Sequence, residues 1–213
     1  MVEGHWTLLE TVGLGDIGLM SDSVTMGRRD RRVMATRAYR LMTAWVIAPW
    51  ALQGIRPRGE VLEIGAGAGA TARHLLDVNP DLHVVVTDYD GEMCKVASKS
   101  LGGFGARVEV EQADANALPF AGDRFDLVLS FLMLHHTGDW QQTLREAIRV
   151  LRPGGRLVGF DVLAGAPLHH PKRFAALIRR GQLEEFLPTL SVTDVRVRPG
   201  MARSLVRFAA SKR

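Results

Sequence analysis

Between Val61 and Leu76 the chain reads V-L-E-I-G-A-G-A-G-A-T-A-R-H-L-L: an apolar run holding one acid, Glu63, then glycines at 65, 67 and 69, then a helix-like stretch. A strand, a tight turn and a helix N-terminus in that order let a ligand approach backbone N–H groups closely. Two cofactor chemistries use such a turn. Read as G-x-G-x-x-A, residues Gly65, Gly67 and Ala70 satisfy the dinucleotide fingerprint, with a pyrophosphate at the helix N-terminus. Read as E-x-G-x-G-x-G, Glu63 to Gly69 suits the amino-acid end of S-adenosylmethionine. A pyrophosphate wants no carboxylate nearby, whereas an ammonium next to a sulfonium does. Glu63 therefore favours the second reading, unless its role is to bond loop amides.

Further residues at useful spacings could complete the site. Asp88 ends the apolar run from His83, where an acid can accept both ribose hydroxyls of either cofactor. Asp90 is placed to cap a helix starting near Gly91, with Glu92 and Met93 in its first turn, and Tyr89 to pack on an adenine or fill the core. Asp114, in Q-A-D-A-N-A-L-P-F over 112–120, could accept an adenine amino group or cap its own loop. His135 and His136 follow the apolar run Phe125–Ser130, at the edge where open parallel sheets bind ligands. A neutral imidazole at His135 could take a proton from an acceptor, or the pair could simply shape the loop. His169-His170 with Asp161 lack an i,i+4 pair on a helix and a further ligand, so no metal site is expected.

These residues need a scaffold, and the periodicity supplies one. Apolar positions from Arg32 to Gln53 predict a helix broken by Pro49. Strands at 61–64, 83–87, 107–111, 125–130 and 155–162 alternate with helices at about 70–77, 91–101, 139–151 and 172–187. Such alternation implies a parallel sheet covered by helices on both faces. Val192–Arg198 and Ser204–Ala210, joined through Pro199-Gly200, read instead as a hairpin. Residues 1–30 are Gly-rich and weakly patterned, a loosely packed lead-in.

With 213 residues and 46% hydrophobic content the chain suits one soluble domain with a full core and one small-molecule site. No apolar run reaches membrane-span length, and the N-terminus lacks the basic segment of a signal peptide. A single cysteine, Cys94, excludes an internal disulfide and fits a reducing cytoplasm. The net charge of +4 is uneven: residues 163–213 carry ten basic and three acidic side chains. That tail (Lys172, Arg173, Arg179, Arg180, Arg196, Arg198, Arg203, Arg207) is a solvated surface or a face for nucleic acid or anionic lipid.

Taken together, E-x-G-x-G-x-G, Asp88, A-D-A-x-x-L-P-F, F-D-x-V, L-H-H and L-R-P-G-G-x-L occur in order over about residues 59–162. That set resembles the class I S-adenosylmethionine-dependent methyltransferases, most of all the quinone-biosynthesis and small-molecule branch. The resemblance implies an α/β, Rossmann-like doubly wound sheet of seven strands, order 3-2-1-4-5-7-6, with the last strand antiparallel. It implies an N-terminal helical cap over residues 1–58 and a methyltransferase domain over 59–213. The cofactor set becomes Glu63, Gly65, Ala66, Gly67, Asp88, Tyr89, Met93, Asp114, Ala115 and Ser130, the last through its backbone near the sulfonium. His135 is the candidate base, and Arg37, Tyr39 and Trp45 either pack or line the acceptor pocket. The expected reaction is methyl transfer from S-adenosylmethionine to a small molecule. Rival readings are a nucleic-acid or lipid acceptor, a nicotinamide-dependent oxidoreductase, and a cofactor-binding protein without turnover. Ser130-Phe-Leu-Met stands where amino methyltransferases acting on nucleic acids carry an N-P-P-Y tetrad, which argues against a nucleic-acid acceptor.

Overall fold

Val61, Leu62 and Ile64 are at most 1% exposed, so strand β1 (Glu60–Ile64) is buried on both faces, as a central parallel strand must be. The computed structural model describes residues 36, 42–52, 54–164, 177–200 and 204–213. Before β1 a π-helical stretch, Thr43–Ile47, runs into helix α1 (Ala48–Leu52). After it come α2 (Ala70–Val78), β2 (His83–Asp88), α3 (Gly91–Leu101), β3 (Val108–Gln112) and β4 (Phe125–Phe131). Then follow α4 (Trp140–Val150), β5 (Leu151–Val162), α5 (Gln182–Phe186), β6 (Val192–Pro199) and β7 (Leu205–Lys212). Asp90 and Asp139 cap α3 and α4 by accepting bonds from Glu92 N (3.0 Å) and Gln142 N (2.9 Å).

The strands form one seven-stranded sheet in the order β3-β2-β1-β4-β5-β7-β6. Neighbours from β3 to β5 are parallel, and β7 runs antiparallel to both β5 and β6, as expected from the hairpin. One face packs Val61, Val86, Leu129 and Val158 against Leu52, Leu75 and Leu101; the other packs Leu62, Val128 and Phe208 against Trp140, Leu144 and Leu183. Register then levels the strand ends: Ile64 lies opposite both Thr87 and Ser130, and Ser130 opposite Gly159. Gly65, Asp88, Phe131 and Asp161 thereby arrive at one edge. No helix among the described residues is long and apolar enough to cross a membrane.

Three expectations change. Pro49 does not break the helix: the π-helical turn before it, a local irregularity of the kind that accommodates proline, carries the chain straight into α1. The fifth strand starts at Leu151, not at Gly155, because Leu151 pairs with Phe125 before Arg152–Gly155 loop out and pairing resumes at Leu127 and Arg156. Gly154, at φ 78°, permits that bulge. Of the helix expected over 172–187, only Gln182–Phe186 is α-helical among the described residues. Ile178 makes a β-bridge to Leu163, and Gly181 at φ 89° starts the helix afresh; residues 172–176 lie outside the described set. So do the lead-in over 1–30, Arg37, Tyr39 and the His169-His170 pair, and the side chain of Trp45.

Two contacts hold α1 and β7 to the sheet. Arg207 Nη1 donates to Trp50 O (2.8 Å) with its guanidinium 4.7 Å from the indole ring, and Trp50 meets Phe160 edge-on at 5.2 Å. At Gly159 a Cβ would lie 2.1 Å from Cζ of the fully buried Phe208, so this β5 position must stay bare for β7 to bring its aromatic ring across. Gly159→Ala is expected to cost about 1–3 kcal/mol in urea unfolding, as overpacking does, and Phe208→Leu in the same chain to restore part of it. An unchanged midpoint for Gly159→Ala would show that this contact does not constrain the strand pair.

Candidate functional site

The turn after β1 holds its shape through backbone that only glycine adopts freely: Gly65, Gly67 and Gly69 have φ of 66°, 56° and 73°. Ala66 N donates to Thr87 O (2.9 Å), tying the turn to β2, and Gly69 N donates to Ala66 O (3.0 Å). A Cβ on Gly65 would lie 2.6 Å from Met133 Cβ, so the turn is also pressed against the exit of β4. Ala66 is buried and packs with the core on the α2 side of the sheet.

Glu63 is 3% exposed and its Oε2 accepts from Ala72 N (3.0 Å) in the first turn of α2. The carboxylate thus sits beneath a helix N-terminus, a favourable place for negative charge. Burial nevertheless raises its pKa to about 7; bonds from Thr71 and Ala72 oppose the rise and the Asp88 charge adds to it. Asp88 stands at the tip of β2, where Oδ2 accepts from Gly67 N (2.8 Å) and Oδ1 from Asp90 N (2.9 Å). The end of β2, the glycine turn and the cap of α3 meet on this one carboxylate. Tyr89 is 49% exposed beside it, and Met93 is buried under the first turn of α3.

Asp114 is exposed and accepts from Asn116 N (2.8 Å), while Ala113 N donates to Asp88 O (3.0 Å), so the 112–117 loop is drawn to β2. Ala115 anchors that loop in the core. Ser130 is fully buried at the end of β4, and its Oγ has no hydrogen-bond partner among the described residues. A buried hydroxyl left so costs roughly 1–3 kcal/mol, which marks the position as one kept for something besides packing.

Past Ser130, Leu132 takes φ 54°, a conformation that is strained for a bulky side chain, and its N–H donates to Phe160 O (2.9 Å). That kink swings the chain into a short 3₁₀ turn, Leu134–His136. His135 Nδ1 lies 2.5 Å from Oδ1 of Asp161, which is wholly buried at the end of β5. Asp161 also accepts from Leu134 N (2.7 Å) and Val162 N (2.6 Å). With Nδ1 donating to a carboxylate, the neutral ring carries its lone pair on Nε2. Sequence reasoning had placed Asp161 only beside His169-His170. The signal was there: Asp161, like Glu63, is a lone acid within an apolar strand.

Of the basic tail, Arg207 clamps Trp50, and Lys212 Nζ donates to Asp123 Oδ1 (2.7 Å) and to two backbone carbonyls. Both are structural. Lys172, Arg173 and Arg203 lie outside the described residues. Among the described residues no three His, Cys, Asp or Glu side chains gather as a metal site.

The turn therefore presents acceptors: Asp88 and Asp114 with Glu63 behind them. Ribose hydroxyls, an ammonium and an adenine amino group are donors and match this set; a pyrophosphate does not. The family model for a methyltransferase domain matches residues 62–159. An S-adenosylmethionine-dependent methyltransferase structure from Aquifex aeolicus superposes with TM-score 0.69 at 19% identity, covering 88% of this chain and 99% of that one. A protein of Pyrococcus horikoshii superposes with TM-score 0.70 at 19% identity, covering 88% and 100%. Residues 62–159 are thus similar in sequence to the methyltransferase-domain class, and the chain shares the fold of these solved structures. Within that class, the ubiquinone/menaquinone biosynthesis C-methyltransferase of Hahella chejuensis is 41% identical over 108 residues, 49% of this chain and 43% of that protein. That of Ectopseudomonas mendocina is 38% identical over 110 residues, 50% and 43%. The match spans less than half the length of these curated relatives.

A raised carboxyl has a testable sign. The folded protein takes up the Glu63 proton near pH 7, and the unfolded chain only near its ordinary value of 4.5. Stability from this group is therefore full below about pH 4.5 and lost as pH rises to about 7. Glu63→Gln, which keeps the bond from Ala72 N, should gain on the wild type by about 3 kcal/mol between acid and pH 8. Denaturant unfolding at several pH values measures this; a flat difference would show that the carboxyl is not desolvated.

Proposed function

We propose that this chain transfers a methyl group from S-adenosylmethionine to a small-molecule acceptor at the carboxyl edge of its sheet. The carrying observation is the acceptor-rich rim around the glycine turn, with Asp88 bonded to both Gly67 N and Asp90 N. The bound cofactor supplies an electrophilic methyl group on a sulfonium, open to in-line attack. The protein's own work is then to hold two reactants in line and keep water out.

In this reading Asp88 takes the ribose hydroxyls, exchanging its bond from Gly67 N for stronger acceptor duty. Asp114 with Ala115 takes the adenine edge, Tyr89 and Met93 flank the ring, and Gly65, Ala66 and Gly67 let the methionine end lie against backbone. Glu63 sets the charge beneath that end, and Ser130 lies nearest the sulfonium. His135 accepts a proton through Nε2 when the acceptor must lose one, with Asp161 fixing its orientation. The helical stretch Thr43–Leu52 contributes to the cap over the site. The acceptor carries a ring: Phe131 and Phe160, 5.1 Å apart, with Trp50 beside them, offer an aromatic wall at the ends of β4 and β5. The quinone-biosynthesis names of the relatives point the same way. A cytoplasmic setting accords with the single cysteine, a buried free thiol.

Two measurements test this. Calorimetric titration of S-adenosylmethionine should show strong weakening, at least tenfold, for Asp88→Ala and for Gly65→Arg; unchanged affinity in both would refute the site. Release of S-adenosylhomocysteine, screened over reduced quinones and then a metabolite extract, identifies the acceptor by mass spectrometry. With that acceptor, His135→Gln should lower kcat by roughly 10²-fold or more with little change in cofactor affinity. Asp161→Asn should shift the pH profile of kcat. A kcat for His135→Gln equal to the wild type would remove the base from the mechanism.

A further inference from the structure

A concavity of about 310 Å³ lies at the opposite, amino edge of the sheet from the glycine turn. One wall is Arg56-Pro57-Arg58, the approach to β1, and the other is Arg152-Pro153-Gly154-Gly155-Arg156, the bulge in β5. A smaller adjoining hollow shares Ile55 and Arg156 with it and adds Arg196 from β6. Four arginines from two stretches of chain thus line one recess, with Arg196 on the hollow beside it.

Their charge is only partly spent. Arg152 donates twice to Asp126 (2.9 Å each), whose other bond comes from Glu60 N (2.8 Å), and lies 3.7 Å from Glu60 Oε2. The side chains of Arg56, Arg58, Arg156 and Arg196 make no hydrogen bond or ion pair with any described residue. Asp194 is the one further acid on the rim. Gathering these largely solvent-exposed like charges around one concavity costs some mutual repulsion in the empty protein. An anion entering the recess removes that cost, and the planar fork of each arginine matches phosphate oxygens in pairs.

We propose that this recess binds a small anion bearing linked phosphate groups, either a free polyphosphate or the phosphate chain of a nucleotide. Two features favour a small ligand over a nucleic-acid strand. The arginines line a single concavity together with Pro57 and Pro153, and they do not extend as a track along the surface. No aromatic side chain lines the recess for bases to stack on. The site is separate from the cofactor rim, so the proposal does not depend on the methyl-transfer reading.

The test is calorimetric titration of the full chain at low salt with pyrophosphate, ADP and ATP, with sulfate, a dianion with a single tetrahedral group, as control. Saturable binding of pyrophosphate, weakened roughly tenfold or more by Arg56→Ala/Arg58→Ala and again by Arg156→Ala, supports it. Equal affinity for pyrophosphate and ADP assigns the phosphates alone as ligand; markedly tighter ADP assigns a nucleotide. Lys99→Ala, an exposed cation on α3, should leave binding unchanged, and the urea-unfolding midpoint should be unchanged in every variant, showing that each is folded. Three results overturn the proposal: no saturable binding, binding indifferent to the arginine variants, or sulfate bound as well as pyrophosphate. Single-stranded RNA bound far more tightly than any of these would overturn it in favour of a nucleic-acid face.

Discussion

The main chain has to turn sharply after Ile64 without carrying side chains into the turn, and the rest of the site depends on that. Three residues with left-handed φ within five positions bring α2 back against β1, place Glu63 under its first turn, and leave Gly67 N facing Asp88. Were the turn wider, Met133 could not pack against Gly65, and β4 would leave the sheet on another path. Cofactor rim, helix cap and strand exit are one construction. Burial of Glu63 is part of its cost, offset in part by the bonds from Ala72 and Thr71.

A second construction at the same edge is built differently. The bend at Leu132 is strained where the glycine turn is relaxed, and it is held by bonds to β5: Leu132 N to Phe160 O, and Leu134 N to Asp161. Because Asp161 is satisfied by two backbone N–H groups as well as by His135, the ring cannot turn without disturbing the main chain on either side. Orientation is thereby set by the fold before any ligand arrives.

Elements with strong local signals were readable from the amino-acid sequence. Helix α3 falls on its expected residues because Asp90 caps it and its apolar positions recur at helical spacing; the strand order followed from the family resemblance, and the hairpin from its turn residues. What could not be read depends on contacts distant in the chain. His135 and Asp161 are 26 residues apart and meet only because β4 and β5 run parallel in a particular register. Pro49 reads locally as a breaker, yet the π-helical turn before it carries the chain straight into α1. Leu151 reads as the end of α4, and only its pairing with Phe125 makes it strand. The arginines of the amino-edge recess lie nearly 100 positions apart in two groups, so no window of sequence displays them together.

The place of β7 bears on how the sheet can be assembled over time. Strand β5 pairs on one side with β4 and on the other with residues 205–212, and β6 reaches the sheet only through that same strand. A chain emerging from the ribosome can pair β1 to β5 as each strand appears, but the outer side of β5 stays open until Lys212 is out. In that interval a long apolar edge, from Leu157 to Val162, is available to any other strand. The hairpin is in this sense a closing clasp: its late arrival converts an adhesive edge into an interior one.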